Sequence, residues 1–390
     1  MTHLAGSSRL LRAMNESAAL SHLLDRGELT RADLRELTGL SKPTISEAVR
    51  RLTDAGLVVV VGHVSAGPGP NAEVYAANPQ AAYAIAVSVR DTAMTGFPAL
   101  VAAVCDASGA IRARVETPVD FAKVDPVDAI ASVVDDLRSK AGIAGDPVGY
   151  VQIGVAGSYD ARTETIHHVD IPGWGRPGLI GKIEDRVGIR VGVDNDVNLA
   201  AVAERRRGVA VDAESFAVLW LGEGLGLAID LGGTLLRGAR GGAGEIGYMP
   251  LYSVDGARHA DLQDLIGGRA VLELAATHKI PGETPAEAVA SAAGSGEQGA
   301  KFLAQLAERI LVGLAAVVAV LDPPLVVLGG EVAQAGGVVL RDAVTAAMRT
   351  TDTLETTVEI TSVTDDAVLL GGLDAALAAV RDALIASLRN

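Results

Sequence analysis

Cysteine and aromatic residues are scarce in this chain of 390 residues. Cys105 is the single cysteine, so neither a disulfide nor a thiolate metal cluster can form within one chain. A lone thiol is typical of a reducing compartment, and we expect a cytoplasmic protein. Aromatic residues make up only 3% of the chain while apolar residues make up 49%. The core must therefore be built mainly from aliphatic side chains.

Long apolar runs are lacking as well. The longest candidate, 310–320, is too short to span a bilayer. The first residues do not combine the basic, apolar and cleavage-site segments of a secretion signal. We therefore expect no membrane partner, and the length suffices for two or three domains.

Positive charge is scarce outside the N-terminal part. The net charge is −15, yet residues 1–80 contain eight Lys plus Arg and eight Asp plus Glu, which sum to zero. The other 310 residues carry the whole −15. An acidic body repels nucleic acid, so only the N-terminal part is expected to approach DNA.

The first 78 residues have the pattern of three helices and a hairpin. Helices are predicted at 15–26, 31–38 and 42–55, with Thr30 and Ser41 as N-caps and Gly39 in the turn between the last two. Strands at 57–61 and 72–76 flank a Gly/Pro-rich tip. This order predicts a winged helix-turn-helix DNA-binding domain at 1–78.

The third helix is the predicted DNA reader. Its apolar residues fall on one face, which leaves small hydroxyls and charged side chains outside, where they suit base edges and phosphates of a major groove. The predicted DNA-binding residues are Ser41, Lys42, Thr44, Ser46, Glu47, Arg50 and Arg51. The wing tip carries prolines instead of basic residues, so we expect weak wing contact.

Residues 79–390 alternate between strands and helices in two similar halves. Strands are predicted at 83–89, 99–104, 150–155, 189–193, 216–221, 225–230 and 325–328. Helices are predicted at 125–140, 178–187, 196–207, 261–278, 297–320, 336–349 and 371–388. Two α/β lobes with a ligand cleft between them follow from this order.

Four motifs in this body carry a resemblance to a known family. They are Gly154-Val155-Ala156-Gly157, Asp194-Asn195-Asp196-Val197-Asn198, Gly241-Gly242-Ala243-Gly244-Glu245-Ile246-Gly247 and Leu328-Gly329-Gly330. Essentially the whole chain resembles the ROK family of repressors and sugar kinases. The resemblance implies a winged helix-turn-helix followed by a duplicated, two-lobe actin-like (ribonuclease H-like) ROK domain at 79–390.

The resemblance also implies a sugar pocket. Amide and carboxylate side chains such as Asn195 and Asp196 pair well with sugar hydroxyls. In the family's kinases, the aspartate at the position of Asp196 is the base that takes the proton of the attacking hydroxyl. The expected ligand-binding residues are Asn195, Asp196, Glu245, Tyr248, Gln263 and Gly157. A helix that begins near Asp196 offers a plainer role for it as an N-cap.

Two departures from the family concern ATP. Ser88-Val89-Arg90-Asp91-Thr92 stands where the kinases have Asp-x-Gly-Gly-Thr, and Glu223 stands in the second phosphate loop, Gly222-Glu223-Gly224-Leu225-Gly226. Both changes place side chains or negative charge where phosphates would lie, and phosphoryl transfer depends on positioning and charge. We expect no catalytic residue and no ATP, with Asp196 as a vestigial base. A phosphate contact from Arg90 would restore the kinase alternative.

Two further departures concern zinc and the sugar. The family's zinc site needs a histidine where Tyr248 stands, and three cysteines where 253–261 has none. We therefore predict no metal and no cofactor, although His259 with Asp255 and Asp261 is a weaker metal candidate. Tyr248 and Gln263 also replace sugar-contacting residues of the family. A different sugar, a sugar phosphate or no ligand all remain open.

The sequence thus predicts a transcriptional regulator, expected to be a repressor of sugar-related genes. Two winged helices of a homodimer, or of a tetramer, would bind an inverted-repeat DNA operator. A sugar or sugar phosphate would act as the effector. The alternatives are an active sugar kinase with an added DNA module, and a ligand-independent regulator whose body only dimerises.

Overall fold

A computed structural model describes residues 3–65, 71–90, 98–252, 258–350, 355–364 and 366–388. Contacts between Cα atoms divide the chain into two compact units. The first contains Met1–Ile153, Ile180–Val193 and Gly372–Asn390, and the second contains Gly154–Leu179 and Asp194–Gly371. The domain boundary predicted after residue 78 falls within the first unit.

The first unit begins with the predicted winged helix. Its elements are α1 (His3–Arg26), β1 (Leu29–Thr30), α2 (Arg31–Thr38), α3 (Lys42–Asp54), β2 (Val58–Val64) and β3 (Ala72–Ala77). Thr30 and Ser41 cap α2 and α3 with their side chains, and Gly39 ends α2 in the left-handed region, which glycine adopts without strain. The strand order is β1-β3-β2. Strand β1 was not predicted, because two residues show no alternation.

The core of the winged helix is shared with the end of the chain. Leu20, Leu34 and Leu52 are fully buried in it, one from each of the three helices. Ile385 and Leu388, from the C-terminal part of the chain, pack against the same cluster. Distant chain segments therefore help to hold the DNA-binding module together.

A five-stranded sheet follows in the chain. The elements are β4 (Tyr83–Arg90), β5 (Ala99–Asp106), β6 (Ile111–Pro118), α4 (Pro126–Lys140), β7 (Val148–Val155), β8 (Ser158–Asp160), β9 (Thr165–His167), α5 (Leu179–Val187) and β10 (Val191–Asn195). The sheet order is β10-β7-β4-β5-β6, and β8 pairs with β9. Edge strand β6 was not predicted, because charged residues interrupt its apolar pattern.

A second sheet of the same build lies in the second unit. Its part of the chain contains α6 (Asp196–Arg207), β11 (Phe216–Leu221), β12 (Leu225–Leu231), β13 (Thr234–Leu235), β14 (Pro250–Tyr252), β15 (Arg258–Asp261), α7 (Leu262–Ile266), α8 (Gly268–Thr277), α9 (Pro285–Ala293), α10 (Gly296–Leu321), β16 (Leu325–Gly329), α11 (Gly330–Met348) and β17 (Thr357–Ile360). The order is β13-β12-β11-β16-β17. The last helix, α12 (Ala367–Ser387), begins in this unit, and most of its residues belong to the first.

The two sheets repeat one plan, which confirms the predicted duplication. In each, three consecutive antiparallel strands form one side, and two strands from later in the chain complete the other. In the second sheet the later strands, β16 and β17, run parallel to β11. The prediction missed β17 and α9, and it merged α7 with α8.

Helix α10 is long and apolar enough, by length and composition alone, to cross a membrane. Its buried side chains, such as Phe302, Leu306 and Ile310, belong to the main hydrophobic cluster of the second unit. We therefore interpret α10 as a core helix. Helix α11 is broken at Gly337, which has non-helical φ and ψ. The prediction found only the part of α11 that begins at residue 336.

Candidate functional site: a DNA-reading helix and a sugar-binding loop cluster

The predicted DNA-reading residues lie on the solvent side of the winged helix. Ser41, Lys42, Glu47 and Arg50 are exposed, while Thr44 and Ser46 are half-buried. The Ser41 and Thr44 hydroxyls are 2.8 Å apart and share a hydrogen bond. These two hydroxyls therefore stabilise the start of α3 in addition to being available to DNA.

Glu47 binds both arginines of the reading helix. Its carboxylate accepts hydrogen bonds from Arg50 Nη2 at 2.8 Å and from Arg51 Nε at 2.7 Å. Arg50 also donates to Asp54 at 2.6 Å, and Arg51 lies 3.7 Å from Glu16 of α1. The hydrogen bonds from the two arginines lower the pKa of Glu47 to about 2. The sequence indicated the residues but not this pairing.

In the second unit, Asn195 is the N-cap of α6. Its Oδ1 accepts the backbone N–H groups of Val197 at 2.8 Å and Asn198 at 3.3 Å. Its Nδ2 donates to the carbonyl of Gly157 at 3.2 Å. The helix therefore does begin at Asp196, but the cap is Asn195 and not Asp196. Three of the hydrogen bonds that Asn195 offers are made within the protein.

Gly157 supplies a carbonyl to this arrangement because its backbone is unusual. Its φ is +147°, and an added β-carbon would lie 2.7 Å from the carbonyl oxygen of His167. Only glycine fits such a close approach of two backbone segments. Gly157 therefore shapes the site through its backbone.

Asp194 stabilises the same region through hydrogen bonds to two side chains. It is buried, its Oδ1 accepts from Asn198 Nδ2 at 2.8 Å, and its Oδ2 accepts from Arg237 Nη2 at 2.7 Å and Nε at 3.0 Å. This paired contact ties the start of α6 to the segment that leads into the glycine motif at 241–247. Arg237 was not among the predicted residues, since the sequence does not show its partner.

The glycines of the 241–247 motif allow close backbone contacts. An added β-carbon on Gly241 would overlap the carbonyl of Tyr159, and one on Gly244 would overlap the carbonyl of Leu227. Glu245 follows, half-buried, with a hydrogen bond to the side chain of Ser158. Burial raises the pKa of Glu245, and nearby His168 and Ser158 oppose that shift.

Asp196 is half-buried at the start of α6. Removal of its carboxylate from solvent, together with the negative charges of Glu245 and Glu331, raises its pKa to about 6, against hydrogen bonds from backbone N–H groups. The residue as a whole keeps some exposure, as a ligand-binding group requires. Asp196 and Glu245, both predicted, are thus brought together, and each can accept hydroxyl protons.

Tyr248 forms an aromatic surface beside these acids. The residue is 54% exposed, and its ring centroid lies 4.6 Å from that of His168. Burial of part of the ring and the charge of Glu245 raise its pKa. His168 was not predicted as a ligand-binding residue, because its approach depends on the turn after β9. The two ring planes are tilted by 38°, and the exposed tyrosine ring offers a partly apolar surface for a ligand.

Gln263 lies at the second phosphate loop. Its Oε1 accepts the Leu225 N–H at 2.9 Å, and its Nε2 donates to the Glu223 carbonyl at 3.1 Å. The amide expected to contact sugar is therefore engaged with the loop backbone. Gly226 packs this loop against α6, since an added β-carbon would lie 2.6 Å from Val197.

Two backbone N–H groups of this loop are engaged within the protein. The N–H of Glu223 already donates to Glu331 Oε1 at 2.8 Å, and the N–H of Leu225 donates to Gln263. Free, converging backbone N–H groups are what such a turn offers to a phosphate. Two acids, Glu223 and Glu331, stand here instead. Glu331 was not predicted as a site residue, although it directly follows the Leu328-Gly329-Gly330 motif.

The other altered phosphate motif lies in the first unit. Ser88 is buried in β4 and Arg90 ends that strand. Burial lowers the pKa of the Arg90 guanidinium, and Glu116 opposes that shift. Asp91 and Thr92 lie outside the described residues, as do 253–257 of the altered zinc motif. Among the described residues there is no group of three or more His, Cys, Asp or Glu that could hold a metal ion.

Fold and site together define a DNA-binding module joined to a sugar-kinase-like body, and comparison with known proteins gives its family. The ROK family model matches residues 94–379, and the MarR family model matches residues 11–67. The first match covers well over half of the chain, so the chain belongs to the ROK family. The MarR family match lies on the winged helix that the sequence predicted at 1–78.

Individual relatives agree with this assignment. The xylose repressor of Bacillus subtilis (strain 168) is 23% identical over 248 residues, 62% of this chain and 61% of that protein. A glucokinase of Streptomyces coelicolor is 34% identical over 154 residues, 40% of this chain and 47% of that protein. These matches thus span about half to three fifths of the relatives' own length.

A solved structure agrees over a longer stretch. The crystal structure of a ROK family transcriptional regulator, a homolog of the E. coli MLC protein, has a TM-score of 0.74 and 17% identity. The match covers 97% of this chain and 99% of that chain. At this identity the likeness establishes the fold alone, and it confirms the predicted order of winged helix and ROK body.

Proposed function

We propose that this chain is a sugar-responsive repressor whose kinase-like body binds a sugar without phosphorylating it. The observation that carries the proposal is a MarR-type winged helix joined to a body in which Asp196 and Glu245 lie close together. In the same body the carboxylate of Glu331 accepts a hydrogen bond from the phosphate loop, at the N–H of Glu223. A site that keeps its sugar-binding acids and loses its phosphate site is suited to sensing.

The sugar would contact the carboxylates of Asp196 and Glu245 and pack on the ring of Tyr248. Gly157 and Asn195 shape this site through the capped start of α6. Gln263 acts through the loop backbone that it holds. Because relatives are named xylose repressor and glucokinase, xylose and glucose are the first sugars to test.

Loss of kinase activity rests on charge and geometry. Transfer of a phosphoryl group requires donors that neutralise the phosphates in line with the attacking hydroxyl. Here Glu223 and Glu331 place negative charge at the loop, and the N–H groups of residues 223 and 225 are already used. We therefore propose that ATP is not a cofactor, that no structural zinc is bound and that Asp196 has no catalytic role.

The DNA partner is proposed to be an inverted-repeat operator bound by a cytoplasmic homodimer, with a tetramer as the alternative. A two-fold axis through two winged helices presents two α3 helices to successive major grooves. Sugar binding would weaken operator binding, and by linkage the operator would weaken sugar binding by the same factor.

The test is a thermal-shift screen of the purified protein against xylose, glucose, other sugars, sugar phosphates and ATP–Mg, followed by selection of bound duplexes from a random library. A ligand that binds only the folded state must raise the melting temperature. A shift with a sugar but not with ATP–Mg, and release of the selected duplex by that sugar, are expected. If the selection enriches no duplex, the proposal that the protein is a repressor is refuted.

One observation favours a second candidate function, an active sugar kinase with an added DNA module. The identity to the Streptomyces coelicolor glucokinase, 34%, exceeds the 23% identity to the Bacillus subtilis xylose repressor. Asp196, with its raised pKa, would then act as the base. A coupled ATPase assay with the sugar that shifts the melting temperature separates the two, since only a kinase consumes ATP in a sugar-dependent way.

A further inference from the structure

The turn at 222–226 contains a carboxylate that comes from 108 residues further along the chain. Glu331, in the first turn of α11, places its Oε1 2.8 Å from the backbone nitrogen of Glu223. An added β-carbon on Gly222 would lie 2.5 Å from the same oxygen. Glycine at 222 is therefore what lets the carboxylate lie directly on the turn.

Two other backbone donors of this turn are used internally as well. The N–H of Gly222 donates to the Gly224 carbonyl at 3.1 Å, and the N–H of Leu225 donates to Gln263 Oε1 at 2.9 Å. A glycine turn with converging N–H groups is a common cradle for phosphate. Here Glu331 is bound where an anionic oxygen would otherwise be accepted.

We propose that Glu331 is a tethered anion that fills the phosphate turn and makes this site reject phosphate groups, whether they belong to a nucleotide or to a phosphorylated sugar. The proposal rests on the proposed sugar-sensing function and narrows it, because it assigns the effector to sugars without a phosphate group.

The turn at 222–226 also lies close to Asp196. Gly226 packs the turn against Val197, the residue next to Asp196. The charge of Glu331 contributes to the raised pKa of Asp196, so a phosphate bound at the turn would meet both acids. A phosphate would be repelled by these like charges, and the Glu331 carboxylate would first have to leave the N–H of Glu223. A neutral hydroxyl has no such cost and can donate to either acid.

The test compares ADP binding by the full-length protein and three variants, measured by isothermal titration. Glu331→Gly removes both the charge and the acceptor, and Glu331→Gln removes the charge but keeps an acceptor of the same size. Glu297→Gln is the control, because it removes an exposed carboxylate from the first turn of another helix, α10, in the same unit. Thermal melting reports whether each variant is folded.

We expect Glu331→Gly to bind ADP at least about tenfold more tightly than the unchanged protein, with a smaller gain for Glu331→Gln and none for the control. The same order is expected for glucose 6-phosphate. If neither Glu331 variant binds ADP more tightly than the control, the proposal is wrong. If Glu331→Gly does not fold, Glu331→Gln decides alone.

Failure of this proposal is distinguishable from failure of the proposed function. If the unchanged protein binds ADP and consumes ATP when sugar is added, the non-enzymatic sensor itself is refuted. If the unchanged protein and both Glu331 variants ignore ADP while sugar still releases the selected duplex, only the role of Glu331 is refuted.

Discussion

Replacing Glu47 by glutamine tests how the reading helix controls its own charge. The carboxylate accepts hydrogen bonds from Arg50 Nε at 3.1 Å, from Arg50 Nη2 at 2.8 Å and from Arg51 Nε at 2.7 Å. Glutamine keeps the size of the side chain but cannot hold two guanidinium groups by charge. These ion pairs are exposed, so the stability of the domain should change little. The effect should instead appear in DNA binding.

The magnitude follows from the remaining partners of each arginine. Arg50 keeps its 2.6 Å hydrogen bond to Asp54, whereas Arg51 keeps only Glu16 at 3.7 Å. We therefore expect about one additional phosphate contact, which steepens the slope of log K against log salt by about 0.9. Between 50 and 200 mM salt this adds roughly a three- to fourfold loss of affinity.

The assay is fluorescence anisotropy with a random-sequence duplex at several salt concentrations, alongside the duplex selected by the unchanged protein. Random DNA should bind more tightly to the variant at low salt, and the preference for the selected duplex should fall. Because hydrogen bonds from the arginines lower the pKa of Glu47 to about 2, the effect should not depend on pH between 6 and 8.

Glu36→Gln is the matched control for this measurement. Glu36 is exposed on α2, and within the described part of the chain it makes no ion pair, so its removal changes the charge of the module equally. A salt slope for Glu47→Gln equal to that of Glu36→Gln would refute the idea that Glu47 restrains the arginines. Net charge alone would then explain any change.

Three other changes should act on stability. A chain that ends before Ile385, and so lacks Leu388 as well, should lose about 1–3 kcal/mol of winged-helix stability, seen by circular dichroism in denaturant; unchanged unfolding would contradict the shared core. Gly371→Ala should destabilise by about 1–3 kcal/mol, because the methyl group would overlap a carbonyl of α6, whereas Gly181→Ala on α5 has open space and should be neutral or stabilising. Asp196→Asn should stabilise the protein increasingly as pH rises from about 4 to about 6 and constantly above, by up to about 3 kcal/mol. The sign follows because burial raises the pKa of Asp196 to about 6, so the folded state binds the proton more tightly than the unfolded state and loses stability when the proton leaves. Melting at pH 4.5 and 7.5 checks this, and a pH-independent difference would show that Asp196 is not buried as described.

Local sequence patterns were sufficient to predict elements whose ends are fixed by residues adjacent in the sequence. Helices α2 and α6 begin and end where predicted, because Thr30 caps the first through its side chain and Gly208 follows the last residue of the second. Short strands and strands rich in polar residues were not predicted. Strand β6 lies at a sheet edge with charged residues outward, so its alternation is weak.

In the candidate site, too, some residues could be predicted from local motifs and others could not. Asp196 and Glu245 were found from motifs, and the structure brings them together. The role of Gln263 could not be found, because its partners are backbone groups of residues 223 and 225, and side-chain identity does not reveal backbone partners. Glu331 was missed for a related reason, since its contact spans 108 residues.

The sequence by itself determined the winged helix, the duplicated α/β plan and the acids of the proposed sugar site, since caps, periodicity and glycine motifs act over a few residues. Only the tertiary structure decided what those groups contact. It paired Asp194 with Arg237, placed Glu331 on the phosphate turn and completed the winged-helix core with the C-terminal helix. The physical reason is that hydrogen bonds and packing depend on distance in space, and the strand order that sets those distances is not written in any single segment.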